Sequence, residues 1–324
     1  MYLYMDVLYR LDNSLMAVVI VLALQVLCMT IMLVLKRPFA VSPPIESIVR
    51  ALLFSAIIRL NRRDRADFTL MIRGTIVFSI LMATLTLVII ALEFLMGALN
   101  IVRWYEPVVL ALFLGPLAVM VSVLKVSSDK KTDEGFYRSL VHVANKNLVK
   151  SDVHAQRRIG CAVMMMAFVE WMIAPIMIYV FVGLPALILY ASLSLFIRGV
   201  GQASGAFVFP FYWLYVLMRF IPSLMASLMV AAASIFTTGG KPLSALKGGG
   251  HFREMPLATL AYAQNIILGG ASQNRMGEKE KSPWLGPDAA TAKLDHRDVI
   301  RVCIHYGIAL FLSVVTLFLA YVSL

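Results

Sequence analysis

Apolar residues along the chain fall in long, nearly unbroken runs separated by polar stretches, and the runs do not alternate as a half-buried strand would. A helix rising 1.5 Å per residue needs roughly 20 apolar residues to cross about 30 Å of hydrocarbon. Runs of that length predict spans over residues 15–35, 75–95, 107–124, 161–182, 207–232 and 303–324. The first is too long for a signal peptide and lacks a small-residue cleavage site, so it counts as a helix. Only a short connector with Arg103 and Glu106 separates the second from the third, which makes them a hairpin. The run from 161 to 196 exceeds one crossing and is interrupted by Pro175, Gly183 and Pro185. It reads as a span followed by a bent or re-entrant piece. The fold class is therefore all-α: a polytopic membrane protein with about six transmembrane helices, plus interfacial or re-entrant helices in its polar loops.

Those loops have patterns of their own. Over residues 43–63, Ile45, Ile48, Val49, Leu52, Leu53, Ala56, Ile57 and Leu60 recur at helical spacing, while Arg50, Arg59, Arg62 and Arg63 take the other face. Pro44 and Glu46 suit the first turn of a helix. This pattern predicts a helix lying on the membrane surface. Residues 255–268 are apolar but too short to span, and glycines flank them on both sides. They read as a re-entrant or surface helix.

Composition agrees with lipid as the main solvent: 60% of the residues are hydrophobic and 15% charged, with a mean hydropathy of +0.84. The formal charge of +11 fits basic loops facing anionic headgroups better than nucleic acid. Of 29 basic residues, eight fall in 36–74, eight in 125–160 and nine in 236–302. With six crossings all three loops lie on one side, which the positive-inside rule makes cytoplasmic. That places the chain in a bacterial inner membrane with both termini outside. Cys28, Cys161 and Cys303 are odd in number and far apart, so they read as packing residues rather than disulfide partners or metal ligands.

Charges inside apolar runs are costly unless they are paired or reach water. Glu170 and Arg219 are such charges, and the expectation is that they face each other between helices. Glu93 and His305 read as solvated. His142, His154, His251 and His296 lack ligand spacing, so no metal site is expected. The glycines of Thr238–Lys241 and Gly248–Gly250 do not match a P-loop.

The stretch IILGGASQNRMGEKEKSPWLG at 266–286 resembles the C-terminal part of the CobD/CbiB family, the adenosylcobinamide-phosphate synthases, where Leu-Gly-Gly is followed by a loop and Lys-Pro-Trp-Leu/Ile-Gly. PFAVSPPIESIVRALL at 38–53, MIAPIMIYVFVGLPALILYA at 172–191 and Phe220-Ile221-Pro222 resemble further family stretches in the same order. The resemblance covers most of the chain, 1–324, as one integral membrane domain. It implies an ATP- and Mg²⁺-dependent amide ligation joining aminopropanol phosphate to adenosylcobyric acid. It also implies a corrinoid substrate.

The resemblance matches several polar positions to other residues here. The family's Asp-Pro falls on Arg37-Pro38, its His-Pro on Pro43-Pro44, and its Gly-Arg-Asp on Asn145-Lys146-Asn147. Its Glu-Asn and Asp-Gly fall on Met166-Ala167 and Glu170-Trp171. Its later Lys, Asn and Asp fall on Ala191, Ser194 and Ile197, an Asp pair on Tyr215 and Val216, and a Glu on Leu257. An aliphatic side chain cannot ligate a hard cation. Glu170 is left as the candidate catalytic carboxylate, with Lys146, Tyr190, Arg219, Lys281 and Trp284 as candidate substrate-binding residues and no metal ligands assigned. Two functions stay open: a divergent synthase drawing on Glu170, Glu278, Glu280 and Asp288, and a non-catalytic regulatory or scaffold protein. The second resembles the AmpE proteins, which share the hydropathy and lack most of the polar residues, and it would work through a membrane-protein partner or a homo-oligomer. A transporter fits less well, since only one stretch is strongly interrupted by proline.

Overall fold

A computed structural model describes residues 2–35, 42–46, 49, 59–61, 65–115, 117–128, 140–141, 143–144, 152–200, 205–250, 254–273 and 279–323. Its helices are α1 (Tyr2–Leu35), α2 (Asp67–Ala98), α3 (Tyr105–Phe113), α4 (Leu117–Ser127), α5 (Val153–Phe168), α6 (Ala174–Phe181), α7 (Leu184–Val200), α8 (Gly205–Phe236), α9 (Pro242–Ala245), α10 (Met255–Gln264) and α11 (His296–Ser323). Six helical stretches are long and apolar enough to cross a membrane: Met5–Cys28, Asp67–Ala98, Val102–Ser127, Val153–Phe181, Gly205–Phe236 and His296–Ser323. The protein is an all-α polytopic membrane protein. Its helices overrun the predicted spans because the polar flanks continue the same hydrogen-bond ladder. Each long helix also shows two faces. On α8, Trp213, Leu217, Ile221, Leu224 and Leu228 form an exposed stripe at helical spacing, while Tyr215, Pro222, Ala226 and Val230 are buried. On α2, Gly74 lets the backbone of α8 approach so closely that an added Cβ would sit 2.0 Å from the Phe207 carbonyl oxygen. Small residues serve this purpose between membrane helices.

Two breaks interrupt the helices at the centre. Pro175 has no N–H for the carbonyl of Trp171, four residues back. The chain answers with a π-helical turn over Val169–Ile173, and the Trp171 carbonyl accepts instead from Gly115 N–H at 3.2 Å. Gly115 can donate because the third predicted span is itself split: α3 ends at Phe113 and α4 begins at Leu117. Leu117 N–H, in the first turn of α4, is capped by Gln25 Oε1 of α1 at 2.8 Å. The broken span and the π turn thus complete each other's backbone bonding. After α6, Gly183 takes a left-handed φ of +105° and reverses the chain into the 17-residue α7, the bent piece the sequence predicts.

Two local expectations are refined and a hairpin is added. Of the re-entrant or surface helix expected over residues 255–268, α10 covers Met255–Gln264 and ends with Asn265 in the left-handed region, and most of its residues are buried rather than on a surface. Leu268–Gln273 and Lys279–Leu285 form strands β1 and β2 of an antiparallel hairpin, with a register shift between Gly269 and Ala271. In the expected surface helix, Ile45, Glu46 and Val49 are buried in the bundle; residues 47, 48, 50–58, 62 and 63 lie outside the described part.

Candidate functional site

The polar centre of the bundle is built around Glu170, which the π turn carries. Its Oε2 accepts from Tyr190 Oη at 2.7 Å and Ser194 Oγ at 2.6 Å, both on α7. Its Oε1 accepts from Tyr215 Oη of α8 at 2.5 Å and lies 2.9 Å from Arg219 Nε. That last contact is an ion pair rather than an aligned hydrogen bond. The facing of Glu170 and Arg219, expected from two lone charges in apolar runs, is therefore present. A second pair adjoins it: Arg198 Nη2 lies 3.0 Å from Glu46 Oε2, and Arg198 Nε donates to Ser194 Oγ at 3.1 Å. Ser194 accepts from one pair and donates to the other, so two carboxylates and two guanidinium groups form one chain of contacts. Burying ions is costly unless every lone pair is met, and this arrangement meets those of Glu170. Beside it Trp171 Nε1, buried and without a hydrogen-bond partner among the described residues, lines a cavity of about 20 Å³ shared with Glu46, Glu170 and Arg198. That is room for one water molecule.

A larger cavity of about 230 Å³ begins at Arg219 and is lined also by Arg158, Glu254, Met166, Leu257, Gly269, Gly270 and Ser282. The hairpin shapes one wall. Gly269 and Gly270 have φ of +82° and +88°, and a Cβ on Gly270 would sit 2.4 Å from the Trp284 ring. Arg158 lies over that ring, 5.3 Å from its centre, and Arg158 Nη1 donates to the Ala292 carbonyl at 2.5 Å.

Of the residues singled out from sequence, Glu170, Tyr190 and Arg219 meet at one point. Trp284 is 55% exposed and stacks on Arg158, which lines the cavity. Lys281 is a strand position opposite Ala271, and Lys146 lies outside the described residues. Glu46, Arg198 and Arg158 had gone unremarked as site residues, and Ser194 and Tyr215 had entered only as lost family positions. The usable signal was the one that identified Glu170: Arg198 is a charge inside the apolar run of α7, and it too requires a partner.

His305 corrects a further expectation. It is fully buried rather than solvated. Its Nε2 is 2.8 Å from the Val230 carbonyl oxygen, and its Nδ1 is 2.7 Å from Gln264 Nε2 and 3.1 Å from Thr237 Oγ1. Since a carbonyl can only accept, Nε2 carries the proton and Nδ1 accepts from Gln264. The histidine ties α11 to α8 and α10. Glu93 is exposed, as expected. Gly240 and Gly248 serve close packing: a Cβ on Gly240 would lie 2.1 Å from the Ser234 carbonyl oxygen, and one on Gly248 would lie 2.3 Å from Thr259 N.

Comparison of the chain with known protein families, curated proteins and solved structures finds no match. The magnesium ion and ATP implied by the family resemblance must be tested on the residues themselves. Mg²⁺ takes a near-octahedral oxygen shell that includes carboxylates. Both oxygens of Glu170 are occupied, and among the described residues no group of three or more His, Cys, Asp or Glu side chains could hold a metal ion. The described residues do not assemble a shell for that ion.

Proposed function

We propose that the chain is a divergent CobD/CbiB-like membrane protein that keeps the scaffold of the synthases without their metal-dependent chemistry, and that it acts as a binding or regulatory protein in the manner of the AmpE group. One observation carries the reading. Several positions that the resemblance matches to family stretches, from 166 to 282 in sequence, meet around Arg219. Glu170, Tyr190, Ser194 and Tyr215 form the centre on one side of it. Met166, Leu257, Gly269, Gly270 and Ser282 line the adjoining cavity. Convergence of that kind supports a common site, and its chemistry has changed. Where the resemblance puts carboxylates, Met166 and Leu257 make an apolar wall, and Tyr215 donates to Glu170 where an acid would repel it. A cavity of about 230 Å³ also falls below the 300–1,000 Å³ typical of drug-sized ligands. On this reading the three basic loops face the cytoplasm of a bacterial cell.

The test is a ligation assay on purified protein in lipid nanodiscs with ATP, Mg²⁺, adenosylcobyric acid and aminopropanol phosphate, read by mass spectrometry beside an active synthase. The expected result is no product. Product that disappears in Glu170→Gln would restore the enzyme reading.

A further inference from the structure

Sulfur atoms from Cys161, Met164 and Cys303 gather where α5 packs against α11. Successive contacts fix the seam between these helices. Phe168 and Tyr306 place their rings 5.9 Å apart, and one turn back Met164 Sδ lies 3.8 Å from Cys303 Sγ. Cys161 stands three residues before Met164 on α5, so it takes the next place on the same face. It is within electrostatic reach of Cys303, and all three side chains are buried. Two thiols far apart in sequence thus share one seam with a thioether. Both cysteines lie about two turns beyond the start of their helices, at the end of the bundle where the basic loops begin. Arg157, one turn before Cys161 on the same face, is buried there too.

We propose that Cys161, Met164 and Cys303 bind a soft monovalent cation, Cu(I), between α5 and α11. Thiolate and thioether sulfurs suit Cu(I), Zn²⁺ and iron–sulfur clusters. Structural zinc and iron–sulfur clusters take four ligands, and among the described residues no group of three or more His, Cys, Asp or Glu side chains could complete such a set. A donor set of two thiols and one thioether is left to Cu(I), which accepts two or three sulfurs. The spacing agrees: metal–sulfur bonds of about 2.3 Å in a trigonal shell set the sulfurs about 4 Å apart, close to the 3.8 Å between Met164 and Cys303. Binding releases the two thiol protons. Two thiolates around one Cu(I) then leave a single negative charge, which the buried Arg157 guanidinium offsets. The inference rests on the sulfur seam, and it stands whether or not the chain descends from the synthases.

The experiment uses the full chain in phosphatidylcholine nanodiscs under anaerobic, reducing conditions. Cu(I) is offered as its coloured complex with bicinchoninate, and transfer to the protein is followed by loss of that colour. The expected result is one Cu(I) per chain, held about tenfold or more weakly in Cys161→Ser and in Cys303→Ser, and severalfold more weakly in Met164→Leu. Cys28→Ser, whose thiol belongs to α1, should match wild type. X-ray absorption at the copper edge of the loaded wild-type protein gives a second readout, which no folding defect in a variant can obscure. A shell of sulfur atoms alone is expected there. No transfer, transfer that the seam variants leave unchanged, or a shell with nitrogen or oxygen donors would overturn the proposal.

Discussion

Two arginines border one cavity and have opposite fates. Arg219 stands 2.9 Å from Glu170, itself held by three hydroxyl donors, while Arg158 lies over the Trp284 ring and donates to the Ala292 carbonyl. One guanidinium offsets an acid between membrane helices, and the other ties α5 to the hairpin. The difference teaches that an arginine at this cavity is placed either by an acid or by a ring and a carbonyl, and that the two should respond differently to substitution. Glu170 is held from two sides, since α7 and α8 both bind through it.

The largest expected effect breaks the Glu170 side. Arg219→Met leaves a buried carboxylate without its counter-ion, which costs about 3 kcal/mol or more for a buried pair. Unfolding in mixed detergent micelles should show that loss, and Glu170→Gln/Arg219→Met should recover most of it. If the single and double variants are equally destabilised, the pair holds nothing that packing does not, and the contrast with Arg158 fails.

How far the fold was legible depends on the length of the signal. Six spans could be read because 20 consecutive apolar residues have few other uses, and the Glu170–Arg219 pair because a lone charge in such a run needs a partner. The break between α3 and α4 was hidden inside an apolar run, since Gly115 turns its N–H to the Trp171 carbonyl without changing hydropathy. The β1–β2 hairpin was hidden for the opposite reason: Leu268–Gln273 contains two glycines and no alternation, so its strand character comes only from pairing with Lys279–Leu285. The pair Glu46–Arg198 joins two residues far apart in sequence, and Glu46 had a sufficient local explanation as a first-turn acid, which concealed its tertiary partner. Arg158 stands in a polar flank where arginines are ordinary, and only its buried Nε sets it apart.

His305 offers a middle case between the two arginines, because its ring is fully engaged while the partner amide is not. Gln264 Nε2 donates to the ring, yet Gln264 Oε1 is buried without a hydrogen bond. His305→Leu removes the acceptor for Gln264 and the donor for the Val230 carbonyl, and should lower stability by about 2 kcal/mol, within the range for stranded buried polar groups. The same denaturation measurement applies. A loss near zero would mean that Gln264 and Val230 find other partners, and that the three-helix junction does not depend on the ring.

The smallest effect sharpens the Arg158 side. Trp284 covers one face of the Arg158 guanidinium at 5.3 Å and is more than half exposed, so the attraction is of the weak kind, about 0.5–1 kcal/mol. Trp284→Leu should therefore cost little stability, since β2 keeps its pairing and Leu285 stays buried. A loss well above that range in the same denaturation measurement would mean that the ring holds the β1–β2 hairpin against α5 rather than only covering one guanidinium face, because Gly270 packs directly on the indole and a smaller side chain there would leave that contact empty.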